Sequence, residues 1–224
     1  AYVLKDLNLK INPGEYVAIV GHSGCGKSTL IRLLLGFEKA ESGVIFYDSY
    51  NLEKVNKRAL RQRIGSCMQD GELFSGSILS NIIITAPWAT EEDAWQAARK
   101  AALAQDIEKM PMKMQTVLSD GGNGLSGGQR QRLLIARALV NKPSILFFDE
   151  ATSALDNIKQ KIVSDNLDAL QCTRISIAHR VSTIIHCDRI LVLDGGKVAE
   201  EGTYQELVEK HGLFYNLVKQ QLTD

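Results

Sequence analysis

The nine residues GHSGCGKST, from Gly21 to Thr29, decide the fold because they place a glycine-rich loop between a strand pattern and a helix pattern. The apolar run EYVAIV precedes the loop, and TLIRLLLG continues from it. The spacing is that of a phosphate-binding loop, G-x-x-x-x-G-K-[ST]. Glycines let the backbone turn its N–H groups inward around an anion, and the N-terminus of the following helix adds partial positive charge. The stretch therefore predicts a loop that holds the phosphates of a nucleotide.

Three side chains of this loop have expected chemical properties. Lys27 would reach the β- and γ-phosphates, and the Ser28 hydroxyl would be a ligand for Mg²⁺. Cys25 occupies a variable position of the pattern, where a thiol would make the site sensitive to alkylation. The predicted nucleotide-binding residues of the loop are Gly21, His22, Ser23, Gly24, Cys25, Gly26, Lys27, Ser28 and Thr29.

Composition indicates a soluble globular domain. The chain has 224 residues, 45% of them apolar, and its 26 basic residues balance 26 acidic ones. Zero formal net charge gives no electrostatic bias toward nucleic acid, so nucleic acid is not an expected partner. The longest uncharged apolar run, IIITAPWA, is shorter than the roughly 20 residues of a spanning helix. The 4 cysteines form no CxxC pair, which argues against a zinc site or a disulfide framework.

Apolar strand patterns alternate with helical ones along the chain, which is typical of an α/β fold. Expected buried strands are VIFYD (44–48), SILFFD (144–149), RISIA (174–178) and RILVLD (189–194). VLKDLNLKI (3–11) alternates up to the turn Asn12-Pro13-Gly14, so we expect it to form a hairpin with EYVAIV. Residues 90–104 should form a helix capped by Thr90.

We therefore predict a P-loop NTPase core with a mostly parallel sheet, an N-terminal antiparallel β subdomain and an inserted α-helical subdomain. The whole chain, residues 1–224, is expected to be one domain. Residues 1–69 and 143–224 would form the RecA-like catalytic core with the β subdomain. Residues 70–142 would form the helical subdomain.

Two acids, Asp149 and Glu150, end the strand SILFFD, at the edge where an open α/β sheet binds ligands. Asp149 would hold Mg²⁺, directly or through water, and Glu150 would orient or deprotonate an attacking water. Adjacent acids after a strand are a weak signal alone, since loop solvation explains them equally well. Together with the phosphate loop they predict nucleotide hydrolysis.

The stretch LSGGQRQRLLIARALV (125–140) contains a second glycine pair in front of a helix pattern. Ser126 and Gln129 match the S-x-x-Q capping box, and apolar residues at helical spacing follow. Capping alone does not require Gly127-Gly128, because a glycine within a helix costs up to about 1 kcal/mol relative to alanine. Backbone without side chains at this point suits close approach by an anion.

With these motifs the chain resembles, over nearly its whole length, the nucleotide-binding domain of an ABC transporter. LSGGQ is that family's signature motif, and it lies here between the phosphate loop and ILFFDE in the family's order. The resemblance implies an ATPase that binds ATP and Mg²⁺ and pairs head to tail with a second copy of itself. The signature residues Ser126, Gly127, Gly128 and Gln129 of one chain would then close over the γ-phosphate held by the other.

Other positions match further motifs of this family. Gln69, in CMQD, matches the Q-loop, which senses Mg²⁺ and water and couples to the membrane part. Asp156, in SALD, matches the D-loop at the dimer interface, and His179, in IAHR, matches the switch histidine. The implied catalytic residues are Glu150, His179, Lys27 and Gln69, and the implied metal ligands are Ser28, Gln69 and Asp149.

The start of the chain departs from the family's pattern. Exporters stack adenine on an aromatic residue after a first strand, and Tyr2 is the nearby aromatic here. Because the chain begins around or after that point, we expect an excised fragment that lacks the first strand.

Two segments, 71–82 and 188–221, resemble the exporter branch, and 116–140 looks most like peptide or bacteriocin exporters. Asp120-Gly121-Gly122 replaces the Gly-Glu-x-Gly element that touches the membrane helices in exporters. The resemblance implies a membrane-spanning domain on the same full-length chain, at the cytoplasmic face of the cell membrane, with ATP hydrolysis powering export. Alternatives are another transporter type (a lipid or multidrug exporter, or an importer), a non-transport ABC ATPase, and an ATP-binding regulatory module without turnover.

Overall fold

The structure is a computed structural model that describes residues 3–149, 154–178 and 180–223, the last four of these by their backbone. The strands are β1 (Tyr16–Val20), β2 (Phe46–Tyr47), β3 (Tyr50–Asn51), β4 (Ile64–Cys67), β5 (Gly76–Ser77), β6 (Val117–Leu118), β7 (Ile145–Asp149), β8 (Thr173–Ile177), β9 (Arg189–Asp194) and β10 (Lys197–Gly202). The helices are α1 (Lys27–Leu34), α2 (Lys57–Arg61), α3 (Ile78–Ile83), α4 (Glu91–Lys100), α5 (Ala104–Glu108), α6 (Gly127–Leu139), α7 (Asn157–Asp168), α8 (Val181–Ile184), α9 (Tyr204–Glu209) and α10 (Leu213–Thr223).

The chain divides into two compact units: a first unit of residues 1–61 with 173–224, and a second unit of residues 62–172. In the first unit, β1 pairs in parallel with β8 on one side and β9 on the other. β10 continues this sheet antiparallel to β9. All five residues of β1 are buried, as expected for a strand covered on both faces. Helices α9 and α10 contribute Leu207 and Phe214 to the core over these strands.

The second unit is mostly helical, with β4 and β7 as a parallel pair. Helix α6 supplies much of its core, including the fully buried Leu133 and Ile135. The buried residues of α4 are alanines, and such small side chains allow close packing between helices. In the described part of the chain, no helix combines the length and the apolar character that a bilayer crossing requires.

These elements confirm the predicted fold class, an α/β fold with mostly parallel strands, some antiparallel pairing and a helical insertion. SILFFD, RISIA and RILVLD are confirmed as β7, β8 and β9. The helix predicted over 90–104 is confirmed as α4, with Thr90 as its N-cap, but it ends at Lys100, before the left-handed backbone of Ala102 (φ +54°). The predicted subdomain boundaries at 69/70 and 142/143 stay a prediction.

Two strand predictions are wrong. Among the described residues before Tyr16, none lies in a strand, so VLKDLNLKI forms no hairpin with β1. Both sides of β1 are taken by parallel partners, β8 and β9, which leaves no position for an antiparallel neighbour. VIFYD is not a buried strand either: β2 pairs with β3 in a two-residue ribbon, and Phe46 is 57% exposed. With only two strands in this ribbon, Phe46 stays in solvent, whereas Tyr47 is half-buried and its hydroxyl donates to the Leu34 carbonyl over 2.7 Å.

Candidate nucleotide-binding site

The predicted phosphate loop connects the buried end of β1 to the first turn of α1. Lys27 is the first residue of α1 and is buried. Its Nζ donates to the backbone oxygens of Gly21 and His22 over 2.8 and 2.9 Å, and Cys25 Sγ lies 3.9 Å away. The positive charge is therefore folded back into the loop, where it faces any anion that the loop encloses.

The N-terminus of α1 has no side-chain capping hydrogen bond. Its N-cap is Gly26, at φ +105°, and Gly26 offers no side-chain acceptor to the first-turn N–H groups. Those groups carry the positive end of the helix dipole. His22, Ser23, Gly24 and Ser28 are exposed around it. The loop thus combines amide donors, one ammonium group and the exposed hydroxyls of Ser23 and Ser28, a donor set that suits a polyphosphate.

Gly21 is required by a close approach of backbone to backbone. It has φ +150°, and a Cβ placed on it would lie 2.3 Å from the carbonyl oxygen of Leu193, in β9. A side chain at this position would force the loop and β9 apart. The phosphate-loop pattern already predicts glycine at position 21, and the contact with Leu193 is a second reason for it that only the fold shows.

The second unit carries three more of the predicted polar residues. Asp149 ends β7 and is 5% exposed, whereas Gln69, two residues beyond β4, is exposed. Because β4 and β7 are parallel neighbours, Asp149 and Gln69 lie at the same end of this pair, where the carboxyl ends of the two strands meet. Asp156 is the N-cap of α7, where its Oδ1 accepts the N–H of Lys159 over 2.9 Å.

The oxygen donors available for a metal fit magnesium. Ser28 offers a hydroxyl, Gln69 an amide oxygen and Asp149 a carboxylate, and Mg²⁺ prefers oxygen ligands of these kinds. Each of these residues is described within its own unit: Ser28 in the first, Gln69 and Asp149 in the second. Glu150, His179 and Tyr2 lie outside the described residues, so their expected roles rest on the sequence.

The capping box predicted at the start of α6 is confirmed. Ser126 Oγ accepts the N–H of Gln129 over 3.2 Å, and Gln129 Oε1 accepts the N–H of Ser126 over 2.9 Å. Ser126 and Gly127 are exposed, whereas Gly128 is half-buried. The outer side of this turn therefore faces solvent, with a hydroxyl and backbone N–H groups.

A contact within the chain also explains why position 128 is a glycine, and the sequence pattern did not reveal this contact. A Cβ on Gly128 would lie 3.2 Å from the carbonyl oxygen of Ala154, and the N–H of Ala154 donates to Gln131 Oε1 over 2.8 Å. The segment before α7 thus lies against the first turn of α6. A side chain at position 128 would press on this segment, whereas Gly127 has more room, with Ala154 Cβ 3.9 Å away.

Sequence reasoning missed two residues that lie behind this turn, Asp106 on α5 and Arg132 on α6. Arg132 is buried and donates to Asp106 Oδ2 over 2.8 Å, and Gln129 Nε2 donates to Asp106 Oδ1 over 3.3 Å. An arginine on the apolar face of α6 is the signal in the sequence that could have drawn attention to this cluster.

The replaced element Asp120-Gly121-Gly122 forms a 3₁₀ turn. Asp120 Oδ1 accepts the N–H of Ser75 over 3.2 Å, and Gly121 donates its N–H to the Leu73 carbonyl over 3.1 Å. This turn is therefore bonded to the segment that follows Gln69, even though its residues differ from the family's Gly-Glu-x-Gly element.

Comparison with known proteins agrees with this geometry. A family profile described as "ABC transporter" matches residues 4–153, so the chain belongs to the ABC transporter family, as its ATP-binding, ATP-hydrolysing domain. A Staphylococcus aureus protein named as a multidrug export ATP-binding/permease protein is 44% identical over 219 residues, 97% of this chain. The transport/processing ATP-binding protein ComA of Streptococcus pneumoniae is 43% identical over 217 residues, 96% of this chain.

A solved structure of a bacterial Atm1-family ABC exporter with ATP bound superposes with a TM-score of 0.94 at 40% identity, over 98% of this chain. The chain spans 38% of the length of the Staphylococcus aureus relative, 30% of ComA and 39% of the solved exporter chain.

Proposed function

We propose that this domain drives export across a membrane by binding and hydrolysing Mg·ATP between two copies of itself. The observation that carries the proposal is the phosphate loop, in which Lys27 Nζ bonds to Gly21 and His22 beside the uncapped N-terminus of α1. This donor set suits the β- and γ-phosphates of a nucleotide.

In ATP hydrolysis each of these residues would have a separate role. Lys27 and the loop amides bind the phosphates, and Glu150 orients a water molecule and accepts its proton. The water oxygen attacks the γ-phosphorus in line, the bond to the β–γ bridging oxygen breaks, and ADP leaves with that oxygen. His179 would contact the γ-phosphate beside Glu150. Ser28, Gln69 and Asp149 would hold Mg²⁺, which when bound neutralises charge on the phosphates.

A second copy of the chain would complete each site. The supporting observation is the exposed turn at Ser126 and Gly127, behind which the start of α6 bonds to Asp106 and Ala154 of the same chain. A hydroxyl and helix N-terminal N–H groups facing solvent suit an anion that arrives from outside the chain. Asp156, exposed at the start of α7, would lie at the same interface.

The full-length protein would be a membrane exporter with this domain at the cytoplasmic face. The support is that the relatives are longer than this chain and that one is named as an ATP-binding/permease protein. Peptide or bacteriocin export is the finer proposal, supported by the similarity to ComA. A multidrug exporter is the second candidate, favoured by the similar identity to the Staphylococcus aureus protein.

Phosphate release by the purified chain, measured against protein concentration, tests the proposal. Because each site needs two chains, specific activity should rise with protein concentration until the dimer is saturated. Glu150→Gln should keep ATP binding, lose turnover and form a dimer with ATP that light scattering detects. The matched control is Glu108→Gln, an exposed glutamate on α5, which should behave as wild type.

Undiminished hydrolysis by Glu150→Gln would contradict the role of Glu150. Binding of ATP without any phosphate release by the wild type, alone and in the full-length protein, would favour a regulatory module instead.

A further inference from the structure

The side-chain amide of Gln129 is engaged at both ends within its own chain. Its Oε1 accepts the N–H of Ser126 over 2.9 Å, and its Nε2 donates to Asp106 Oδ1 over 3.3 Å. An amide has distinct donor and acceptor ends, so these two partners define its orientation. Gln129 is therefore turned toward α5 and toward its own helix N-terminus.

Asp106 is in turn held by Arg132. The guanidinium Nη1 donates to Asp106 Oδ2 over 2.8 Å, and its Nε donates to the carbonyl of Gly128 over 3.2 Å. The side chain of Arg132 is 6% exposed and that of Asp106 is 27% exposed. A charge-assisted bond with so little water around it restricts both groups more than a surface ion pair does. Asp106, Gln129 and Arg132 thus form one cluster behind the turn, which we call the support cluster.

Unlike the amide of Gln129, the hydroxyl of Ser126 keeps a hydrogen-bonding capacity that the capping box does not use. Its Oγ acts as an acceptor in the capping box, from the N–H of Gln129. A hydroxyl also has a proton to donate, and this bond does not use it. Because Ser126 is exposed, that proton can be given to an acceptor outside the chain.

We infer that Asp106 and Arg132 are positioning residues, and that Gln129 acts with them as a support for the turn at Ser126 rather than as a contact to the γ-phosphate. Ser126 and the N–H groups of Gly127 and Gly128 are the part of this motif that meets the phosphate. The inference rests on the proposed function, in which that phosphate belongs to ATP held by a second copy. It departs from the role that the family resemblance implies for Gln129.

An exchange of functional groups between Asp106 and Gln129 tests the support cluster. In Asp106→Asn, the new amide can keep its oxygen on Arg132, and its nitrogen then faces the donor end of Gln129. In Gln129→Glu, two carboxylates face each other. The double variant restores a donor and an acceptor, because Asn at position 106 donates to Glu at position 129.

We expect each single variant to lower kcat at least tenfold and to leave the Kd for ATP on a single chain within twofold, since the phosphate loop is unchanged. The double variant should recover kcat to within about threefold of wild type. Glu108→Gln is the control for Asp106→Asn: it lies on the same helix, is exposed and removes one negative charge in the same way. It should leave kcat unchanged. Wild-type kcat in both single variants, or a double variant no better than the poorer single one, would overturn the inference.

A spectroscopic measurement separates this inference from the proposed function. The side-chain amide protons of Gln129, observed by NMR in the wild-type chain, should exchange slowly with water and should shift in Asp106→Asn. Fast exchange and no shift would overturn the support cluster even in an active ATPase. A wild-type chain without phosphate release would instead count against the proposed function, whatever this spectrum shows.

Discussion

Arg137 on α6 and Asn81 on α3 are joined by two hydrogen bonds: Nη2 donates to Asn81 Oδ1 over 2.9 Å and Nε donates to the Asn81 backbone oxygen over 2.8 Å. Asn81 is fully buried and also bonds to the backbone of Phe74, accepting its N–H over 2.9 Å and donating to its carbonyl over 2.8 Å. The pair therefore fixes the segment that follows Gln69 to the same helix that begins at the signature turn.

Asn81→Ala should lower the free energy of unfolding by about 2–3 kcal/mol, because it leaves buried backbone and guanidinium donors without their acceptor. Urea denaturation followed by circular dichroism measures this change. Asn123→Ala, at an exposed asparagine of the same unit, is the control and should stay within about 0.5 kcal/mol of wild type. Equal stability of the two variants would show that the pair with Arg137 contributes nothing.

Gly21→Ala should destabilise the first unit by about 2 kcal/mol or more and abolish ATP binding, since a Cβ would lie 2.3 Å from the Leu193 carbonyl oxygen. Calorimetric titration with ATP and thermal denaturation test both effects. Gly43→Ala is the matched control: it has φ +84° and no atom within 4 Å of an added Cβ. Its cost should be the ordinary left-handed strain of about 1 kcal/mol, with ATP binding retained. ATP binding by Gly21→Ala at wild-type affinity would rule out this packing argument.

A maleimide reagent should label Cys25 of the native chain well before the other cysteines. Cys25 is half-buried, whereas Cys67, Cys172 and Cys187 are buried, and burial raises the pKa of Cys67 to about 12. A neutral buried thiol is a poor nucleophile.

Saturating ATP should slow labelling of Cys25 at least tenfold, because Cys25 Sγ lies 3.9 Å from Lys27 Nζ inside the loop. Peptide mass mapping reads out both results, with Cys25→Ser as the control; labelling insensitive to ATP would argue that phosphates do not occupy this loop.

Acid should weaken the second unit through Asp93, in the capping box of α4. The Thr90 hydroxyl donates to Asp93 Oδ2 over 2.7 Å, and this bond, with one from Lys142, lowers the pKa of Asp93 from 3.8 to about 2. Since the folded pKa lies below the unfolded one, this contribution is present above about pH 4 and is lost as the pH falls toward 2. Asp93→Asn should therefore show a flatter decline of unfolding free energy between about pH 4 and pH 2 than wild type. Parallel curves for the two proteins would show that Asp93 does not titrate with a lowered pKa.

Much of the fold and of the candidate site could be predicted from contiguous sequence. The phosphate loop, the N-cap of α4, the capping box of α6 and the strands β7, β8 and β9 each depend on residues a few positions apart. Such features follow from local geometry: a turn that needs glycine, a side-chain oxygen three residues before an N–H, or a run of apolar residues.

Most of the errors and omissions involve residues that lie far apart in the chain; the exception is VIFYD, whose short strand β2 pairs with β3 a few positions later. The alternation of VLKDLNLKI suggested a hairpin, but β1 takes its partners β8 and β9 from more than 150 positions later, and local pattern does not encode such pairing. Nothing in the sequence around Gly21 or Gly128 indicates the carbonyls of Leu193 and Ala154 that lie beside them. Arg132 on the apolar face of α6 is a signal of a buried cluster, but its partner Asp106 lies 26 positions earlier and could not be predicted from it. The sequence by itself determined which groups can bind a nucleotide, because that chemistry resides in short motifs. Only the tertiary structure decided what holds each of those groups in place, because hydrogen bonds and steric contacts act between atoms that folding brings together.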